Sequence, residues 1–107
     1  MQSITDQNLQ NIYRQAMSAL GAKQYAVAAK VFSEILISAP NHGPSHFQLA
    51  LILKRAGKAE QAAKHFGAAA KLMPKEPAAL MQHGIALGAA GAHAKAASAL
   101  AKAERLS

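Results

Sequence analysis

Two ten-residue stretches, VFSEILISAP at 31–40 and HFGAAAKLMP at 65–74, share a pattern although most of their letters differ. Each has Phe at its second position and Pro at its tenth. Phe32 and Phe66 are thus separated by a period of about 34 residues, which is the sequence signature of an internal helix–turn–helix repeat. At the same spacing again, the stretch ALAKAERLS at 99–107 carries Leu100 in the Phe column.

The repeat covers nearly the whole chain without a gap, in blocks at 9–42, 43–76 and 77–107. Small residues recur in two columns, which allows neighbouring helices to approach closely; they are Ala16, Ala50 and Gly84 in the first column and Ala28, Ala62 and Ala96 in the second. Each block predicts two helices, at 6–20 and 24–38, at 44–56 and 59–72, and at 77–90 and 93–106.

Proline and glycine mark the boundaries of these predicted helices. Pro44 and Pro77 suit the first turn of a helix, where the missing N–H costs nothing. Gly57 and Gly91 suit the turns inside the pairs, since glycine adopts left-handed backbone freely. The prolines at the ends of both opening stretches, Pro40 and Pro74, stop the second helices because proline cannot continue one.

Composition indicates one small all-α domain over residues 1–107. Ala contributes 27 of the 107 residues and favours helix because it loses no side-chain entropy there. Cysteine is absent, which excludes disulfides and thiolate metal sites. The N-terminus MQSITDQNLQ lacks the basic and apolar regions of a signal peptide, and no apolar run is long enough to span a membrane. These features predict a cytoplasmic protein.

The repeat resembles the tetratricopeptide repeat (TPR) family beyond its period. Small residues stand at repeat position 8, Gly57 and Gly91 at 15, and an aromatic, Tyr25, at 17. The family's columns at positions 20, 24, 27 and 32 are filled by Ala28, Ala62 and Ala96, by Phe32 and Phe66, by Ala69 and Ala103, and by Pro40 and Pro74. The chain departs from the pattern at Ile12, His46 and Leu80, where Trp is common, at Lys23 for Gly and at Ile35 for Ala. The resemblance implies a TPR solenoid, a right-handed α-α superhelix of three helix-turn-helix repeats.

In this family the first helix of each pair lines a concave groove that binds partners. The resemblance therefore implies a partner-binding groove formed by Tyr13, Arg14, Met17, Phe47, Gln48, Leu51, Lys54, Met81, Gln82 and Ile85. Contiguous exposed apolar side chains usually mark an interface, although these could instead pack between helices. The prediction is a non-catalytic protein–protein interaction scaffold that binds an apolar or amphipathic peptide or helix. Phe47→Ala or Leu51→Asp is expected to abolish partner capture without loss of helicity.

One known TPR function is excluded by the residues. Chaperone-binding TPR domains hold a C-terminal carboxylate with lysine, arginine and asparagine side chains. The corresponding positions here are Tyr13, Met17, Gln48, Ala78 and Gln82, none of them a cation. A peptide carboxylate would lack charge-assisted partners at these positions, so Hsp70- or Hsp90-type tails are not the expected ligand.

The charged and histidine residues indicate no chemistry. The net charge is +7, but the lysines are scattered singly and no nucleic-acid-binding motif is present, so nucleic acid is not the expected partner. His42 and His46 have helical metal-ligand spacing, yet Gly43-Pro44 lies between them and no further ligand completes a site. His46 is predicted to pack and the other histidines to lie at the surface. We predict no enzyme activity, catalytic residues, metal or cofactor.

The C-terminal repeat raises two alternative functions. Terminal repeats need a polar cap, and the apolar edge formed by Ala96, Leu100, Ala103 and Leu106 is expected to stay partly exposed. The chain could be the N-terminal TPR module of a larger bacterial enzyme, because it resembles the N-terminal segments of proteins such as TPR-fused sulfotransferases. It could also be an assembly factor that self-associates into a homo-oligomer through this edge.

Overall fold

The computed structural model describes residues 5–89 and 93–106, with the side chains of 5–89 and 99–106. This part of the chain forms helices without strands. The six helices, each within one residue of its predicted bounds, are α1 Asp6–Gly21, α2 Tyr25–Ser38, α3 Gly43–Arg55, α4 Ala59–Leu72, α5 Pro77–Ala89 and α6 His93–Leu106. The all-α fold predicted from the sequence is confirmed.

The starts of the first helices are fixed by local side-chain chemistry. Thr5 caps α1, where its hydroxyl oxygen accepts a hydrogen bond from the backbone N–H of Asn8 at 3.2 Å. His42 lies just before α3, as predicted, and its ring Nδ1 accepts from the backbone N–H of Ser45 at 3.3 Å. Pro44 occupies the first turn of α3, where the backbone N–H that proline lacks would have no partner within the helix.

The turns inside the first two pairs have the same geometry at equivalent repeat positions. Gly57 has φ 79° and Lys23, its counterpart, has φ 61°. The next residue along closes each turn, because the N–H of Gln24 donates to Ala19 O and that of Lys58 to Leu53 O, both at 2.9 Å. This is the hydrogen-bond pattern of a helix ending on a left-handed residue. Gly91, predicted for the third turn, lies outside the described residues.

The core is a series of small clusters between successive helices. Consecutive helices pack against each other along the chain, and the molecule is elongated, with extents of 42 × 26 × 24 Å. Phe32 and Phe66 are fully buried, as are the small residues Ala28 and Ala62 one helical turn before them. Phe32 packs among residues of α1, α2 and α3, and Phe66 packs among residues of α3, α4 and α5, so each ring fills the space between successive helix pairs.

The C-terminal edge differs in part from its prediction. Leu100 and Leu106 are 39% and 40% exposed, as expected for an uncovered face. The expectation was wrong for Ala103, which is only 1% exposed because it packs into a cluster with Ala79 and Leu80 of α5 and with residues of α4. The side chain of Ala96 lies outside the described residues.

Candidate protein-binding surface

Side-chain contacts link the first helices of the pairs into one surface. Between α1 and α3, the Tyr13 phenol has the Gln48 side chain as a hydrogen-bond partner. Between α3 and α5, the Lys54 ammonium donates to the Gln82 amide oxygen at 2.9 Å. We use the name inner strip for the ten predicted groove residues on α1, α3 and α5, which are Tyr13, Arg14, Met17, Phe47, Gln48, Leu51, Lys54, Met81, Gln82 and Ile85.

At the α1 end of the inner strip, the apolar side chains are partly used for packing. The half-buried Tyr13 ring meets Phe32 edge-on, with centroids 5.6 Å apart, and His42 at 5.3 Å. Burial raises the pKa of the Tyr13 phenol, and the hydrogen bond with Gln48 partly offsets this effect. An open pocket of about 340 Å³ remains here, lined by Gln10, Tyr13, Arg14, Met17 and His42.

In the middle of the strip, Phe47 is a structural residue as well as a surface one. Its ring meets Phe66 edge-on at 5.8 Å, and it packs against two of the core clusters. Leu51 is also half-buried and contacts the cluster around Phe66. The expectation that Phe47→Ala leaves the helices unaffected therefore conflicts with this packing, since truncation removes a contact shared by several helices.

At the α5 end, the apolar side chains are open to solvent. Met81 and Ile85 are 44% and 42% exposed, and they stand one helical turn apart on the same face. Gln82 lies beside them and holds Lys54 across the gap between the helices. This end of the strip presents a continuous apolar pair with a cation next to it.

A histidine junction that the sequence did not predict joins α3 to α4 and to the loop after α2. His46 Nδ1 and His65 Nδ1 are 2.9 Å apart, and His46 Nε2 is 2.8 Å from the Pro40 carbonyl oxygen. Because a carbonyl only accepts, Nε2 of His46 carries a proton and donates it. In the neutral pair, Nδ1 of His46 then accepts from Nδ1–H of His65. The two histidines lie on different helices, and their separation in the sequence gives no signal of this contact.

The histidines predicted for the surface are in fact half-buried where the structure describes them. Burial lowers the pKa of His42, of His65 and of His83, and the nearby His46 adds to the effect on the first two. The Ser45 hydroxyl oxygen also lies 2.7 Å from His42 Nδ1, and because that nitrogen accepts hydrogen bonds, the hydroxyl donates to it. These neutral rings are packing and hydrogen-bonding groups at helix junctions. The predicted packing role of His46 agrees with its half-buried position.

Metal-binding and membrane-spanning features are absent from the described part of the chain. Among these residues, no three His, Asp or Glu side chains are close enough together to hold a metal ion. Over residues 5–89 and 93–106, no helix has both the length and the apolarity needed to cross a bilayer.

Similarity to known proteins was found by comparison of structures and not by comparison of sequences. No protein-family sequence model and no curated protein sequence matches the chain. The CopN–Scc3 complex contains a chain 25% identical to this one, with a TM-score of 0.85, that aligns with 96% of this chain. The Yersinia enterocolitica type III secretion chaperone SycD, bound to a peptide of the translocator YopD, is 23% identical over 98% of this chain, with a TM-score of 0.86.

A third similar structure, a double mutant of MamA, is 23% identical over 92% of this chain, with a TM-score of 0.82. The present chain spans 61% of the matched CopN–Scc3 chain, 55% of MamA and 80% of SycD. All three are TPR-like helical-repeat proteins. The constant repeat period, the six paired helices and these similarities together show that the chain has the fold of a tetratricopeptide-repeat solenoid.

Proposed function

We propose that the protein is a non-catalytic interaction module whose inner strip holds an apolar or amphipathic segment of a partner protein. The observation that carries this proposal is the exposure of Met81 and Ile85 on the same surface as the half-buried Tyr13 and Phe47. Large apolar side chains aligned along adjacent helices are costly in water and mark interaction sites. Methionine adapts its shape to different partners, which suits a peptide-binding surface.

The structural neighbours support this kind of role. SycD is described in complex with a peptide, and the CopN–Scc3 structure is a complex of proteins. A fold alone does not determine function, so the proposal depends on the residues of the inner strip. An amphipathic partner helix would place apolar residues at spacings of three and four, which fits the one-turn separation of Met81 and Ile85.

The proposal is tested by selecting peptides from a displayed random library on the purified protein and measuring their affinity by fluorescence polarisation. The double variant Met81→Ser and Ile85→Ser should bind the selected peptides at least about tenfold more weakly, since two apolar contacts are lost. The matched control is Val27→Ser with Ile37→Ser. These apolar residues of α2 are 52% and 78% exposed, and their replacement should leave affinity unchanged. Equal binding by the wild type and the α5 variant would refute the proposal.

The proposal includes the predicted absence of enzyme activity, the cytoplasmic location and the single TPR domain. A non-enzymatic, cytoplasmic scaffold consisting of one TPR domain is consistent with an interaction surface built from packed helices. The alternative of self-association has a separate basis in the exposure of Leu100 and Leu106 and in the dimers described for SycD. Sedimentation velocity on wild type and Leu100→Glu tests it, because only dimerisation through α6 would be lost in the variant.

A further inference from the structure

We infer that the segment held by the inner strip is acidic as well as amphipathic, with carboxylates that reach Lys54 and Arg14. The inference rests on the proposed function and specifies the chemistry of the partner. It follows from where the chain places its charges, and from the contacts that those charges make.

Negative charge is almost excluded from the helices of the inner strip. The chain has 12 Lys and Arg but only five Asp and Glu, which are Asp6, Glu34, Glu60, Glu76 and Glu104. None of the five lies in α3 or α5, and Asp6, the one in α1, is the first residue of that helix. A partner on the strip therefore meets cations without a competing carboxylate from the same helices.

Lys54 is positioned for a partner carboxylate beside the exposed apolar pair. Its ammonium group donates to the neutral Gln82 amide oxygen at 2.9 Å, and the side chain remains exposed. An ammonium has three N–H donors, so the bond to Gln82 orients the group and leaves donors for a carboxylate. Charge-assisted hydrogen bonds of this kind are about twice as strong as neutral ones. Arg55, the neighbouring cation, is directed elsewhere, with its guanidinium 4.6 Å from the centre of the Tyr25 ring.

Arg14 provides a second cation at the other end of the strip. It lines the open pocket together with Tyr13 and Met17 and is exposed. A guanidinium binds a carboxylate through two parallel hydrogen bonds, which a single ammonium does not. The strip thus presents apolar side chains with a cation toward each end, complementary to an amphipathic segment that carries Asp or Glu.

A nucleic acid fits this surface less well than a peptide. Single-stranded nucleic acids bind through cations combined with exposed aromatic rings on which the bases stack. Here the aromatic rings Tyr13 and Phe47 are half-buried against other rings, and the exposed apolar residues are the aliphatic Met81 and Ile85. The exposed aliphatic side chains therefore favour a polypeptide partner over a nucleic acid.

The test uses three fluorescein-labelled synthetic peptides of about 18 residues, about 27 Å long as helices. All three have the same amphipathic leucine pattern, and their polar positions carry Glu, Gln or Lys. In low salt the Glu peptide should bind at least about tenfold more tightly than the Gln peptide, and the Lys peptide most weakly. At about 0.5 M salt the preference for Glu should shrink to about threefold or less, because exposed charges are screened.

Two lysine variants locate the effect. Lys54→Gln should weaken the Glu peptide about three- to tenfold while leaving the Gln peptide unchanged. Lys71→Gln, which removes an exposed cation from α4 and lowers the net charge equally, should change either affinity less than about twofold. Equal effects of the two variants would attribute the preference to overall charge and overturn the inference.

The outcomes separate this inference from the proposed function. If the Gln peptide binds at least as well as the Glu peptide, and Met81→Ser with Ile85→Ser still weakens both, the acidic partner is refuted and the binding surface stands. If no peptide binds, or binding does not depend on Met81 and Ile85, the proposed function fails and the inference with it. Displacement of the Glu peptide by single-stranded DNA at lower concentration than by unlabelled peptide would also overturn it.

Discussion

Large apolar side chains are packed at the α1 end and in the middle of the inner strip but are exposed at its α5 end. At α1 and α3, Tyr13 and Phe47 are half-buried and meet Phe32 and Phe66 edge-on. At α5, Met81 stands in the same repeat column but is 44% exposed. One column of a repeat can therefore pack into the stack in two copies and lie open to solvent in the third. The aromatic copies reach the second helix of their own pair, whereas much of the Met81 side chain lies in water.

The largest expected difference between α3 and α5 is in stability. Phe47→Ala should lower the free energy of unfolding by about 2–4 kcal/mol, since a half-buried ring shared by two clusters is lost. Met81→Ala should lower it by less than about 1 kcal/mol, because much of that side chain is already in water. Urea unfolding followed by circular dichroism at 222 nm measures both. Similar losses of unfolding free energy in the two variants would show that Phe47 and Met81 contribute equally to packing.

The histidine junction tests whether α3, in the middle of the strip, is held by polar contacts as well as by aromatic rings. His46→Ala removes two hydrogen bonds, to Pro40 and to His65, and should cost about 1–2 kcal/mol. The matched control is Lys64→Ala, an exposed residue beside His65, which should change stability by less than about 0.5 kcal/mol. The same urea experiment compares their free energies of unfolding. If His46→Ala leaves the free energy of unfolding unchanged, the junction does not contribute to stability.

Glycine at position 23 should stabilise the turn after α1, since the equivalent turn after α3 already has glycine at position 57. Lys23 holds a left-handed backbone conformation at φ 61°, whereas its counterpart Gly57 adopts φ 79° without side-chain strain. Lys23→Gly should raise stability by about 1 kcal/mol, and Gly57→Ala should lower it by about the same amount. Thermal melts of both variants measure the two shifts, and shifts of the same sign would contradict the equivalence of the turns.

The smallest expected effect is the dependence of stability on pH. Burial lowers the pKa of His42, His65 and His83, so below about pH 6.5 the unfolded chain binds more protons at these sites than the folded chain. Stability should be constant with respect to these groups above that pH and should fall as the pH drops through 6 toward 5. The effect is modest because each ring is partly solvated.

A single substitution identifies one source of this pH dependence. His65→Gln should reduce the fall in melting temperature between pH 7.5 and 5.5, and Lys64→Gln should leave it at the wild-type value. A larger fall in His65→Gln than in the wild type would contradict the assignment of a lowered pKa to this ring.

The fold was predictable because its signals are local and repeated. Pro44 and Pro77, the Ala columns and the glycine turns each restrict backbone or spacing, and their recurrence at a constant period located the helices to within one residue. The division of the inner strip was not predictable, since burial of Phe47 depends on how far its ring reaches Phe66 on another helix. The pairing of His46 with His65 and of Lys54 with Gln82 likewise depends on helix packing, which a single repeat column does not encode.

¹H–¹⁵N NMR of the protein titrated with a peptide from the library selection would map the binding surface directly. We expect chemical-shift changes along α1, α3 and α5, strongest around Met81 and Ile85 and extending to Lys54 and the pocket near Arg14. The signals of α2, including those of Val27 and Ile37, should be nearly unchanged. Shifts centred on α2, or on the exposed leucines of α6, would place the binding surface elsewhere and refute the role of the inner strip.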